Sequence, residues 1–165
     1  MKLFHLSDLH IGKRVNEFSM IEDQKYILKR ILDLAEEEKP DGIILAGDIY
    51  DKQIPSAEAV QVFDEFITRL AGRAIPVFII SGNHDSAERL AFGGRLLNSR
   101  GIYLSPVYDG SVTKIPLKDQ YGTVWIHLLP FIRPSTVRHV FENEADLVTD
   151  VQTAAETVIR HMEID

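Results

Sequence analysis

Three apolar runs, Leu3–Leu6, Gly42–Ala46 and Val77–Ile80, are each followed within two residues by a short polar motif. The motifs are Asp8-Leu9-His10, Gly47-Asp48-Ile49-Tyr50-Asp51 and Gly82-Asn83-His84-Asp85. Forty residues separate Asp8 from Asp48, and 35 separate Asp48 from Asn83. A strand, its crossover helix and the next parallel strand take about 30 residues or more. The spacing therefore predicts three parallel strands with the motifs at their carboxyl ends, along one edge of one sheet. Open α/β sheets build ligand sites at that edge. Asp, His, Asp, Asn and His gathered there form the donor set of a two-metal site.

The rest of the chain fits one α/β domain spanning residues 1–165. An apolar fraction of 45% is enough to bury a core. No apolar run approaches the ~20 residues that span a bilayer, and the first residues lack the apolar stretch and cleavage site of a signal peptide. Without cysteine, thiolate ligands and disulfides are excluded, and a cytoplasmic location is the expectation. A net charge of −7 argues against a domain that coats nucleic acid with basic surface. It leaves room for an enzyme acting on nucleic acid, because bound cations invert the charge of a site.

Between the strands, periodicity predicts helices. Ser19-x-x-Glu22 reads as a capping box opening a helix with Ile27, Leu28, Ile31, Leu34 and Ala35 at helical spacing. Lys39-Pro40 ends it. A second helix is expected from Ser56 to Ala71, with Val60, Phe63, Phe66, Ile67 and Leu70 on one face. Gly93-Gly94 breaks the next stretch. A short helix follows through Leu96 and Leu97, with Gly101 as its cap. Ser111–Leu117 and Thr123–Leu129 read as an antiparallel hairpin, and 145–162 as a final helix.

Each motif alone has a plainer reading. Asp8-x-His10 is a common chance pair. Gly47-Asp48-x-x-Asp51 suits a turn capped by a carboxylate, and Gly82-Asn83 suits a turn with a surface His84. Turn chemistry does not explain why all three follow successive buried strands. As chemistry, the carboxylate and imidazole of Asp8 and His10 suit Mn, Fe or Zn. Asp48 has two oxygens with which to bridge two cations. Asn83 offers a neutral oxygen, and His84 can stabilise a phosphoryl group or protonate a leaving oxygen.

These three motifs resemble the signature of the calcineurin-like metallophosphoesterase superfamily. Phe4–Gly12, Gly82–Leu97 and Leu129-Pro130-Phe131-Ile132-Arg133-Pro134 narrow the resemblance to its DNA-repair nuclease branch. The resemblance implies mixed β-sheets flanked by helices and a two-metal phosphodiesterase. Asp8 and His10 would hold one metal, Asp48 would bridge both, and Asn83 would hold the second. His84 would be the catalytic histidine, with Asp51 and Asp85 orienting the ligands and His84. The implied cofactors are two divalent cations, Mn above all, with Mg, Fe or Zn as alternatives. The implied partners are DNA, a coiled-coil ATPase and a second copy of the chain. Lys13, Arg14, Lys52 and Arg89 are candidates for DNA contact.

One departure is large. The superfamily completes its site with a further His and a Gly-His-x-His run. After residue 84 this sequence has only His127, His139 and His161, none in such a context. His127 reads as a strand residue, and His139 and His161 as helix-surface residues. The expectation is an N-terminal part of a longer nuclease, a fold incomplete at its C-terminus, weak metal binding and little activity. The competing expectations are another metallophosphoesterase acting on monoesters or cyclic nucleotides, and a non-catalytic dimerisation module. That module would use Val60, Phe63, Phe66, Phe92, Leu96 and Leu97.

Overall fold

The computed structural model describes residues 1–164. The chain runs β1 (Leu3–Leu6), a small ribbon of β2 (Arg14–Val15) and β3 (Phe18–Ser19), α1 (Ile21–Glu38) and β4 (Gly42–Ala46). It continues through α2 (Ala57–Ala71), β5 (Val77–Ile80), α3 (Ala87–Leu90), α4 (Gly94–Asn98) and β6 (Ile102–Leu104). A hairpin of β7 (Thr113–Asp119) and β8 (Gly122–Leu128) follows. Last come α5 (Pro134–Val140), a 3₁₀ segment (Glu142–Leu147) and α6 (Val151–His161).

The central sheet has the order β1-β4-β5-β6, all parallel, so spatial order equals chain order. Register puts Phe4, Ile43, Val77 and Ile102 in one row across the sheet, and Leu6, Leu45, Ile79 and Leu104 in another. Both rows belong to the main core, together with Leu28, Leu32 and Ala35 of α1 and Phe63, Phe66 and Leu70 of α2. Burying one such side chain contributes about 2 kcal/mol. Side chains alternate along a strand, so the row His5, Ile44, Phe78 and Tyr103 faces the other way. There the Phe78 and Tyr103 rings stack at 5.5 Å, and Leu117 of the hairpin lies over Gly42. The N-terminal ammonium meets the Asp119 carboxylate at 3.2 Å and ties the hairpin to the start of β1.

The three strands after which the motifs were expected have the predicted bounds, and the sheet gains a fourth, β6, that periodicity did not resolve. Several local expectations are corrected. The capping box at Ser19 does not form: α1 starts at Ile21 with Met20 as its cap and no side-chain cap bond. Ser19 is instead the last residue of the ribbon, and Glu22 pairs with Lys25 at 2.7 Å. Ile27 and Leu34 are exposed, because α1 packs through Ile21, Leu28, Leu32 and Ala35. Val60 likewise faces out, and Ala59 and Val62 take the inner face of α2. Ser56 does cap α2, accepting the Ala59 amide at 3.2 Å. Gly101 adopts φ +76 just past α4, with its amide on the Asn98 carbonyl at 3.1 Å. The final helix begins at Val151, not near Ala145. Asp150 and Thr153 form a reciprocal capping box there, and the residues before it form α5 and the 3₁₀ segment.

Among the described residues no helix is long and apolar enough to cross a membrane.

Candidate metal centre

Parallel pairing of β1 and β4 continues past both strands into the first two motifs. Asp8 donates its amide to the Gly47 carbonyl at 3.2 Å, His10 to Asp48 at 2.9 Å and Ile11 to Ile49 at 2.9 Å. The two loops therefore run in register where their side chains must converge. The backbone is held in a costly form to do so. Asp8, His10 and Asp48 all have left-handed φ values, +56°, +42° and +51°. Such conformations at non-glycine residues cluster at sites whose surroundings hold them in place. Two glycines make the fit possible. Gly47 takes φ +86, and a Cβ on Gly82 would overlap the Asp48 carboxylate and amide. Only glycine lets the third motif approach the second this closely.

Two side chains lock the loops. The buried Asp85 carboxylate accepts three backbone amides: Gly82 at 2.9 Å, Ile49 at 3.1 Å and Tyr50 at 2.9 Å. It thus joins the third motif to the second across 36 residues of sequence. Gln24 of α1 does the same for the first motif. Its carbonyl accepts the Gly12 amide at 2.9 Å, and its Nε2 donates to the carbonyls of Leu9 at 3.1 Å and His10 at 2.7 Å. Sequence reasoning anticipated an orienting role for Asp85 and missed Gln24. The available signal was a polar residue one turn into α1, between the core positions Ile21 and Leu28.

Three of the motif side chains come together. One ligand atom from each of His10, Asp48 and His84 lies within 4.8 Å of the others. His10 Nε2 stands 3.6 Å from Asp8 Oδ1 and 3.8 Å from Asp48 Oδ2, and its Nδ1 stands 3.8 Å from Asp51 Oδ1. These separations are too long for hydrogen bonds. They suit donors that share an ion, each ~2.0–2.2 Å from it. His10 Nδ1 is buried with no hydrogen-bond partner. That nitrogen looks toward Asp51, whereas Nε2 is the one that faces Asp8 and Asp48. The donor set of imidazole and carboxylate thus fits a divalent first-row metal.

Asp8 is more exposed than His10, Asp48 and Asp51 and is held by the Ser7 hydroxyl at 2.6 Å. Asn83 stands exposed between Gly82 and His84 on the loop that Asp85 fixes. His84 packs edge-on against His10, ring centroids 4.8 Å apart. Its Nδ1 lies 3.0 Å from the Asp51 carbonyl. A carbonyl can only accept, so Nδ1 carries a proton and Nε2 is left for chemistry. That bond, with the charges of Asp48, Asp51 and Asp85, raises the His84 pKa above its ordinary value. Burial, then Asp85 and Asp64, pushes the Tyr50 phenol up to about 12, so it stays neutral beside Phe63.

The basic candidates divide. Arg14 and Lys52 line one cleft of about 360 Å³ beside Asp51, with Lys13 exposed in the loop that leads into the ribbon. Arg14 is partly committed, because its guanidinium donates to the Glu17 carbonyl of its own ribbon. Arg89 is exposed on α3. His127 is a strand residue of β8 paired with Lys114, and His139 and His161 lie on α5 and α6, as expected.

An imidazole–carboxylate centre built from three loops at the carboxyl edge of a parallel sheet defines the class. The chain belongs to the calcineurin-like phosphoesterase family, whose model matches residues 1–160. Membership implies divalent metal. The chain is also similar to a particular protein, the SbcD subunit of the nuclease SbcCD of Staphylococcus epidermidis. The two are 37% identical over 145 residues, which is 87% of this chain and 38% of that protein. The chain therefore spans well under half the length of this relative.

Proposed function

We propose that the three motifs supply metal ligands of a two-metal DNA phosphodiesterase, an SbcD-type nuclease subunit that works in the cytoplasm with an SbcC-like coiled-coil ATPase. The observation that carries the reading is the convergence of His10, Asp48 and His84, with His10 Nε2 turned toward Asp8 and Asp48. Similarity to a nuclease subunit turns the general phosphoesterase reading toward DNA. The resemblance extends this to double-strand exonuclease and single-strand or hairpin endonuclease activity in repair, recombination and replication.

In this reading Asp8, His10, Asp48 and Asn83 would hold the divalent ions. When bound, such ions polarise phosphoryl oxygens and lower the pKa of a bound water. The protein's own part is positional. Gln24 and Asp85 fix the loops, and the Asp51 carbonyl fixes the His84 ring. That bond keeps a proton on Nδ1 and leaves Nε2 for a phosphoryl or leaving oxygen. Arg14, Lys13, Lys52 and Arg89 would meet the DNA backbone. Dimerisation would use the exposed Phe92 and Leu96 around α4, because Phe63 and Phe66 are already spent in the core.

The further histidines of the resemblance are not among these 165 residues. The chain by itself is therefore expected to bind Mn weakly and to hydrolyse DNA little. Calorimetric titration with Mn, wild type against Asp48→Ala, tests the centre. Binding that vanishes in the variant supports it, and equal isotherms overturn it. Comparing DNA with p-nitrophenyl phosphate on the chain extended to the length of its relative tests the substrate. Preference for the monoester would replace the nuclease reading with that of a phosphomonoesterase.

A further inference from the structure

A second polar cavity lies where the hairpin meets α6. Its volume is about 330 Å³, within the ~300–1,000 Å³ range of small-ligand clefts. Lys114 and His127 line it from the hairpin, Val112 and Tyr108 from the chain leading into the hairpin, and Val158 and Met162 from α6 and its end. No residue of the three motifs is in this lining, so the metal centre gives the cavity no task.

Strand pairing builds its polar wall. Lys114 and His127 are directly opposite in β7 and β8, so their side chains stand side by side on one face of the hairpin. Trp125, two residues from His127, shares that face, and Lys114 Nζ lies 5.1 Å from its ring centroid. The His127 ring makes no hydrogen bond or ion pair among the described residues. Tyr108 is buried, and its hydroxyl also lacks a partner. A buried hydroxyl without a partner calls for an explanation. The neighbouring polar groups are already committed. The Ser111 hydroxyl donates to Asp109 at 2.7 Å. His161 Nδ1 lies 2.8 Å from the Thr157 carbonyl, and its Nε2 lies 3.1 Å from Glu144.

The cavity therefore offers a phenol, an imidazole, an ammonium and an apolar side. Lys114 is half-buried, whereas Glu163, the one carboxylate in the lining, is exposed beyond the end of α6. Water screens the exposed charge more than the half-buried one, so the interior favours a negative group. The two oxygens of a carboxylate can accept from two donors and face a cation. A phosphate dianion asks for more positive charge than one ammonium supplies, and it has nothing to place against Val112, Val158 and Met162.

We propose that this cavity binds a small organic carboxylate. Its oxygens meet Tyr108, His127 and Lys114, and its hydrocarbon part lies against Val112, Val158 and Met162. Such a ligand bridges the hairpin and α6, and it stabilises the second half of the chain independently of any metal.

The test is metal-free calorimetry on this chain with benzoate, benzamide, acetate and inorganic phosphate. Benzoate is expected to bind about tenfold more tightly than its neutral isostere benzamide, because charge-assisted hydrogen bonds are lost in the amide. It should also exceed acetate about tenfold, through the apolar area of its ring. Tyr108→Phe keeps the ring and removes only the hydroxyl, and His127→Gln leaves the hairpin backbone pairing. Each should weaken benzoate about fivefold. Amide shifts of the wild type on adding benzoate should fall at 108–114, 127 and 158–162, which gives an answer even if a variant does not fold. Equal affinity for benzoate and benzamide overturns the proposal, as does the absence of benzoate binding. Unchanged affinity in both variants does the same. Phosphate binding as tight as benzoate would make this a site for inorganic anions and overturn the carboxylate assignment. Shifts confined to 8–12, 47–51 and 82–85 would place the ligand at the metal centre and remove the site.

Discussion

Residues 1–104 and residues 105–164 bury their apolar side chains by different means. In the first region, strand order along the sheet is chain order, and each strand is covered by the helix that leads to the next. In the second, a two-stranded hairpin and short helices surround a separate small cluster of Tyr108, Ile132, Val137, Val148, Ala154 and Val158. The hairpin leaves Tyr121, Val124 and Trp125 largely open. The first region puts all of the proposed metal donors on one edge. The second meets that edge at Phe131, whose amide donates to the Ser81 carbonyl at 2.8 Å. A repeating strand–helix unit thus brings His10, Asp48 and His84 together. What lies over the sheet's second face decides only what borders it.

The sharpest way to break this comparison is to cut into each cluster. Leu45 is fully buried in a central strand, and Leu45→Ala is expected to cost about 3 kcal/mol. Val137 is equally buried in the smaller cluster, and Val137→Ala should cost about 1–2 kcal/mol. Urea unfolding followed by far-UV circular dichroism reports the whole chain. Fluorescence of the single tryptophan, Trp125, reports the second region. Val137→Ala should shift the fluorescence midpoint more than the dichroism midpoint, and Leu45→Ala should shift both. Coincident shifts in both variants would make the regions one cooperative unit and dissolve the distinction.

A smaller effect separates long-range from local carboxylates. Asp85 joins two loops through three amides, whereas Asp150 caps α6 across three residues. Asp85→Ala leaves buried donors unpaired, at a cost of about 2 kcal/mol. It should also weaken Mn binding by about 10–100-fold, as removal of a residue that orients ligands does. Asp150→Ala should loosen α6 and leave Mn binding unchanged. Calorimetry on both variants checks this, and a loss of Mn binding in Asp150→Ala would show that the second region supports the centre.

The contrast also explains what the sequence made legible. Strands β1, β4 and β5 were readable because short apolar runs that end in polar motifs leave few other folds, although β1, at the sheet edge, is only partly buried. The meeting of His10, Asp48 and His84 was foreseeable because each lies within four residues of the end of a successive parallel strand. Gln24 was not, because its bonds run to backbone atoms of a loop that periodicity does not describe. Ser19 misled for a related reason. Its capping pattern is local, and the ribbon pairing of Arg14 with Ser19 overrode it. In the second region, α6 was anticipated with too early a start and α5 was missed, because their inner faces answer to one another, not to a strand rhythm. The Leu129–Pro134 segment was noticed as a pattern, but its place against Ser81 depended on tertiary packing.

The smallest expected effect is a pH dependence confined to the first region. Hydrogen bonding of His84 to the Asp51 carbonyl raises its pKa, and the neighbouring carboxylates of Asp48, Asp51 and Asp85 add to the rise. The folded state therefore favours the imidazolium over what the unfolded chain allows, where the value is about 6.5. The sign follows by linkage. This stabilisation is fully present below the unfolded-state pKa and is lost as pH rises through the folded one. His84 is open to solvent, so the effect on unfolding is slight, but its titration is directly visible. In the metal-free chain its ring proton resonances should show a midpoint above about 6.5. Asp51→Asn should bring that midpoint down only in part, because the carboxylate charge goes while the backbone carbonyl stays. A midpoint no higher than that of an unfolded histidine would mean that Nδ1 is not held by Asp51. His84 would then lose the fixed proton that its proposed role requires.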